Sequence, residues 1–373
     1  MKTFIPPNRI LMGPGPSNVH PRVLEAMSKP TIGHLDPKFI ELMDEIKELL
    51  RYAFQTKNEV TFAVSGPGSV GMETCLVNLI EPKSKVLVCI NGVFGGRMKS
   101  IVERCGAKPV VLNTHWGKAI DPNLFEDILK KNKGVSVCSF VHAETSTGAK
   151  SDIKTLTEIA HKNNCLVIAD TVTSLGGIPV LIDEWNIDVS YSGSQKCLSC
   201  PPGLSPITFD EQAVEFIKKR TTLVQSWFMD LNLILSYWSG TAKRSYHHTA
   251  PINSLYALHE SLLLLKEEGI ENSWQRHKVN EEKLVSELEK IGLTAFVKKD
   301  ERLPQLTAVS VPEGIDESKV RKSLLDDYSI EIGAGLGELA GKVWRIGLMG
   351  YSSNEENIKV LVNALKQILQ NYN

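Results

Sequence analysis

Between residues 60 and 209, short β-branched and aliphatic runs alternate with stretches of helical period. That alternation restricts the chain to an α/β fold, a mostly parallel sheet covered by helices on both faces. The strand-like runs lie near 60–64, 85–90, 108–112, 135–141, 166–170, 187–192 and 204–209, with helical patterns such as 124–129 and 153–160 between them. From about Pro251 the texture changes. Two long amphipathic helical stretches, 255–268 and 274–291, lead to strand-like segments at 306–311 and 343–346. A last helix carries Ile358, Leu361, Val362, Leu365, Ile368 and Leu369 on one face. The expectation is a large domain followed by a smaller C-terminal α+β domain.

At 373 residues the chain exceeds a single core, and its 42% hydrophobic content is ordinary for a two-domain protein. Forty-two basic and 43 acidic side chains leave a formal charge of −1, with no run of like charge, which argues against nucleic acid or a membrane surface as partner. The apolar stretches fall short of a membrane span, and Pro6-Pro7 interrupts any signal-peptide core. Seven cysteines, an odd number scattered through strand-like and helix-like runs, read as buried residues of a reducing compartment. Cys197-Leu-Ser-Cys200 lacks a second pair or a histidine at metal-ligand spacing, so no metal site is expected.

Chemistry enters with Tyr191-Ser-Gly-Ser-Gln-Lys196 and with Asp170 at the end of Leu166-Val-Ile-Ala-Asp170. Taken singly, an aspartate more often caps a helix and a lysine more often sits in solvent. Placed at neighbouring strand ends, they are the amine that condenses with an aldehyde and the carboxylate that keeps a ring nitrogen protonated, as a pyridoxal phosphate enzyme requires. A third part is Ser65-Gly-Pro-Gly-Ser69, between a strand-like run and a helical one, where unpaired N–H groups at a helix start suit a phosphate. Gly66 to Gly71 also satisfies G-x-G-x-x-G, but a dinucleotide site needs an acid at the end of the next strand, and 85–90 ends in Asn91-Gly-Val. Pro67 removes one N–H from the turn, though proline is well tolerated at a helix's first position.

Together with Gly13-Pro-Gly-Pro-Ser-Asn18, Asn91-Gly-Val-Phe94, Glu144-Thr-Ser-Thr-Gly148, Asp170-Thr-Val-Thr-Ser174, Pro201-Pro-Gly203, Tyr246-His-His-Thr249, Glu271-Asn-Ser-Trp274 and Arg345-Ile-Gly-Leu-Met-Gly350, these residues resemble the fold-type I, class V aminotransferases. The alanine-glyoxylate and serine-pyruvate group is the nearest. The resemblance implies pyridoxal 5′-phosphate held by Lys196, with Asp170 on the ring nitrogen, Val172 behind the ring and Phe94 stacked on it where many relatives carry tryptophan. Gly68, Ser69 and Gln195 are then cofactor contacts, as is Thr145, which lies where relatives have serine; Ser69 stands where animal relatives have histidine. Tyr246 and Thr249 are implied as phosphate contacts from the neighbouring subunit of a homodimer. Arg345 would take the substrate carboxylate, with Thr145 and Gly15 beside it.

The resemblance further implies an N-terminal arm over 1–20, a large cofactor-binding domain over 21–250, and connecting helices with a small domain over 251–373. The expected reaction is transamination of alanine or serine with glyoxylate or pyruvate, since no second arginine stands in a motif for a side-chain carboxylate. Other class V transaminations, of 3-hydroxykynurenine or a phosphonate amine, would use the same lysine and acid. A desulfurase would need a cysteine beyond Cys200, and a non-catalytic scaffold would not need all these groups. His142 and His247-His248 read as packing residues. The chain ends Gln370-Asn-Tyr-Asn373 rather than in the Ser-Lys-Leu address of some relatives, so cytoplasm is the expected compartment.

Overall fold

Seven runs form one sheet in the computed structural model, which describes residues 1–238 and 244–370. They are β1 (Val60–Ser65), β2 (Lys85–Ile90), β3 (Lys108–Asn113), β4 (Val135–Val141), β5 (Leu166–Asp170), β6 (Val189–Tyr191) and β7 (Leu204–Phe209), in the order β1-β7-β6-β5-β4-β2-β3. All neighbours run parallel except β7, which is antiparallel to both β1 and β6. β1 therefore points the same way as β6, and the carboxyl ends of β1, β2, β4, β5 and β6 share one edge. The strands read as continuous apolar runs because helices cover both faces; every residue of β7 is buried. From β2 the chain goes to β3 on one side and then crosses to β4 on the other. The order reverses between β2 and β4, and open sheets of this kind hold ligands at such a reversal, outside the carboxyl ends.

A second sheet, β8 (Leu306–Ser310), β9 (Gly333–Ala334) and β10 (Val343–Gly347), is antiparallel with β10 in the centre. Its apolar face joins helices Ile270–Lys290, Glu317–Tyr328 and Glu355–Gln370 in a separate core that includes Leu284, Leu324, Trp344 and Leu361. The two long helices differ from the sequence expectation at their junction. The second begins at Ile270 rather than Trp274, because Gly269 at φ 84° turns the chain in a left-handed conformation and leaves helix on both sides.

The N-terminal segment crosses between the two cores. Ile10–Leu11 pairs in parallel with Ile330–Glu331, Met12 is buried in the second core, and the Ser17 hydroxyl donates to the Lys196 carbonyl at 2.8 Å. No described helix is long and apolar enough to cross a membrane.

Candidate active site

Asp170 ends β5, in register with Tyr191 on β6. That register carries the Tyr191 hydroxyl to Asp170 Oδ2, to which it donates at 2.7 Å, while the Val172 N–H donates to Oδ1 at 2.9 Å. Asp170 is buried, and desolvation pushes its carboxyl up to about 7 against the pull of these two donors. Lys196 follows β6 and is also buried. Its Nζ donates to the Pro14 carbonyl, and Gly15, whose φ of 96° favours glycine, leaves room for it: a Cβ there would lie 2.6 Å from that nitrogen. Burial, with the charge of Arg345 adding, lowers the amine to about 8.

At the end of β1 the chain turns through Gly66, and helix Gly68–Leu79 starts without any side-chain cap on its first N–H groups. A Cβ on Gly68 would press on Val172 at 3.3 Å. Facing this turn is helix Val93–Arg104, which follows β2. Its cap comes from another element: Glu144, after β4, accepts the Phe94 N–H at 3.2 Å and the Ser146 hydroxyl at 2.6 Å, while Ser146 Oγ accepts the Val93 N–H at 3.0 Å. A side chain at Gly92 would run into the Glu144 carboxyl. The buried acid thereby sets the direction in which Phe94 leaves its helix.

These elements enclose a cavity of about 180 Å³ lined by Gly68, Ser69, Phe94, Thr145, Asp170, Val172, Gln195 and Lys196 among others. Eight of the residues singled out in the sequence thus converge. Arg345 on β10 reaches the wall from the second sheet: Nη1 donates to the Thr145 carbonyl at 3.0 Å and Nε to the Ala334 carbonyl at 2.6 Å. Among the described residues its hydrogen bonds go to backbone carbonyls and not to an acid, and burial lowers it to about 10. Gln195 Oε1 is buried without a partner. Tyr246 and Thr249 do not line this cavity; both are exposed, Tyr246 at 65%.

Sequence reasoning missed three contributors. Tyr191 and Glu144 were quoted only as parts of motifs, and their bonds depend on pairings between elements. Arg97 was not singled out, although the i, i+3 spacing from Phe94 places both on one helix face; it lines the cavity and donates to Ser69 Oγ at 2.9 Å. Cys197 and Cys200 are buried thiols pushed up to about 12 by desolvation. The His142 imidazole is held neutral, lowered to about 3 by burial, and the backbone N–H of His142 donates to the Asp170 carbonyl at 3.0 Å.

The family model for aminotransferase class-V matches residues 10–361. An alanine-glyoxylate aminotransferase of Rattus norvegicus is 42% identical over 366 residues, 98% of this chain and 88% of that one. The (S)-ureidoglycine-glyoxylate transaminase of Bacillus subtilis (strain 168) is 39% identical over 387 residues, 98% of this chain and 92% of that one. Among solved structures, an alanine-glyoxylate aminotransferase from Nostoc sp. superposes with a TM-score of 0.97 at 47% identity, covering 99% of this chain and 97% of its own. A lysine and an acid at neighbouring strand ends, facing an uncapped helix start, are therefore set in a chain that matches one family almost from end to end, and the protein belongs to the class V aminotransferases.

Proposed function

We propose that the protein uses pyridoxal 5′-phosphate to move an amino group from a small amino acid to a small 2-oxo acid, with glyoxylate the preferred acceptor. The observation that carries this reading is Arg345, a buried guanidinium with no acid partner among the described residues, bonded from behind to Thr145 of the cavity that holds Lys196 and Asp170. A buried cation of that kind calls for an anion, and its planar fork suits the α-carboxylate that donor and acceptor share.

The residues present fit the cofactor. The uncapped N–H groups of Gly68 and Ser69 suit its phosphate, the space between Val172 and Phe94 suits a flat ring, and the unpartnered Gln195 amide faces the same cavity. When bound, the cofactor supplies the aldehyde that condenses with an amine and the ring that takes up the electron pair of the substrate Cα–H bond. The chain's own residues do the rest. Asp170, deprotonated against a protonated ring nitrogen, holds that proton in place. Lys196 Nζ, lowered to about 8 by burial and by Arg345, would take the proton from the donor α-carbon and, in the half-reaction with the 2-oxo acid, deliver one to the acceptor α-carbon. Phe94 and Val172 exclude water from the two faces of the ring.

The two relatives described above carry glyoxylate in their names with two different donors, alanine and (S)-ureidoglycine. That no second arginine stands in a motif for a side-chain carboxylate supports a small donor such as alanine or serine. We further infer that the active unit is a homodimer in which Tyr246 and Thr249 complete the partner's site, and that the chain divides into an arm (1–20), a large domain (21–250) and a small domain (251–373). The test is turnover of purified protein with alanine, serine, (S)-ureidoglycine, aspartate and glutamate against glyoxylate, pyruvate and 2-oxoglutarate. Alanine or serine with glyoxylate is expected to give the highest kcat/KM. A preference for aspartate or glutamate with 2-oxoglutarate would overturn the substrate reading.

A further inference from the structure

We propose that Arg97 supplies the counter-charge to the cofactor phosphate in this protein; the inference rests on the pyridoxal phosphate reading above. Arg97 and Lys196 are the only cations among the described residues lining the cavity. Lys196 is assigned to the aldehyde, and the Arg345 guanidinium, which is not among the lining residues, bonds to the carbonyls of Ala334 and Thr145. A phosphate monoester brings a charge of about −1.5 to −2, whereas a helix start offers the equivalent of roughly half a positive charge. Pro67 has no N–H to add at this turn, and Ser69 contributes only a neutral hydroxyl. His248, whose Nε2 meets Ser65 Oγ at 2.9 Å, is lowered to about 4 by burial and so brings no charge at neutral pH.

The geometry carries Arg97 to the place where that deficit falls. Its Nη1 already donates to Ser69 Oγ at 2.9 Å, the first-turn hydroxyl of helix Gly68–Leu79. Its guanidinium carbon stands 5.1 Å from the centroid of the Phe94 ring, and among the described residues it forms no ion pair with an acid. The exposed guanidinium is thus held between two neutral groups, with its charge free to meet an anion. The rival role is recognition of the distal carboxylate of a dicarboxylic donor. The bond to Ser69 favours phosphate, since it fixes the guanidinium at the helix start, where the N–H groups converge.

The experiment compares two ligands that differ only in the phosphate. Cofactor is stripped from the wild type, Arg97→Gln and Arg97→Lys proteins, and each is titrated with pyridoxal 5′-phosphate and with pyridoxal, following quenching of protein fluorescence. Loss of a charge-assisted contact is expected to raise the Kd of Arg97→Gln for pyridoxal 5′-phosphate by about tenfold or more and to leave its pyridoxal Kd unchanged. Arg97→Lys should fall between, and the wild-type affinity for the phosphorylated ligand alone should weaken with salt. An equal loss for both ligands would overturn the proposal and make Arg97 a support for Phe94. Unchanged affinity for both ligands, with KM raised for aspartate and glutamate, would instead assign the guanidinium to substrate. Should Arg97→Gln fail to fold, the ratio of the two affinities in Arg97→Lys decides the same question. Failure of the wild type to bind pyridoxal 5′-phosphate would sink the cofactor reading itself, which separates that outcome from failure of Arg97.

Discussion

Asp170 is held by one phenol and one amide N–H in a site where desolvation raises its carboxyl to about 7, so these two donors offset the burial of its charge only in part. A protonated ring nitrogen against it would remove that penalty, and this is the physical reason for an acid at the end of β5. Asp170→Asn keeps the shape and loses the charge. The variant is expected to bind pyridoxal 5′-phosphate while its kcat falls at least about a hundredfold, the scale of a positioned acid-base group. Near wild-type turnover would remove Asp170 from the role. Arg345→Lys tests the other charge. A point ammonium cannot reproduce the fork, so KM should rise about tenfold for donor and acceptor together with cofactor affinity unchanged; a change confined to one substrate would move the carboxylate site elsewhere. Lys196, Asp170 and Arg345 were legible in the sequence because each carries its chemistry in a local pattern, a strand end or an arginine between apolar neighbours. Arg97 was not, because nothing in Phe94-Gly-Gly-Arg97 tells that helix Gly68–Leu79 begins opposite it.

At the scale of elements, the seven strands of the large sheet and two of the second sheet were legible from their apolar runs, with bounds within two residues of those expected, whereas the short strand Gly333–Ala334 has no such run and was not. The cap of helix Val93–Arg104 was not legible, because its acid comes from beyond β4 in the chain. A similar long-range tie joins helix Ile270–Lys290 to the turn at Gly350. His277 donates from Nδ1 to the Ser273 carbonyl at 2.7 Å and accepts the Gly350 N–H on Nε2 at 2.9 Å, which fixes a neutral tautomer. Burial lowers this histidine from 6.5 to about 3. A base with a depressed folded-state pKa contributes its full stability above about 6.5 and loses it as the pH falls toward about 3. Its share of that loss approaches about 1.4 kcal/mol per pH unit within the window. Asp170, with its raised pKa, acts in the opposite sense, its contribution falling as the pH rises from 3.8 through about 7, so a comparison of variants is needed. His277→Gln should be less stable than wild type at pH 7.5 in urea, and its stability should fall less steeply between pH 6.5 and 5. Parallel slopes for the two proteins would show that His277 does not carry the acid sensitivity.

For the molecule as a whole, the alternating pattern foretold a sheet covered on both faces, but the crossing of residues 10–17 between the two cores depends on pairings more than 170 positions apart in the chain, as from Ser17 to Lys196. Assembly is the level that remains to be tested. Tyr246 and Thr249 are exposed and do not line the cavity of their own chain, and near them in sequence Leu223 and Trp227 are 90% and 64% exposed. Large apolar side chains left in water beside residues of a site motif argue for a surface that a second copy covers. Two inactive variants separate shared sites from private ones. One carries Lys196→Ala; the other carries Tyr246→Ala with Thr249→Ala. In a hybrid dimer with shared sites, one site inherits every substitution, while the other combines an intact Lys196 with an intact Tyr246 and Thr249. Random exchange makes half of the dimers hybrids, each with one good site of two, so activity should recover to about a quarter of wild type. With private sites every site in the mixture is defective. A mixture that exchanges subunits, as shown by mass-labelled chains, and yet stays inactive would mean that each chain builds its own site and that Tyr246 and Thr249 serve another purpose.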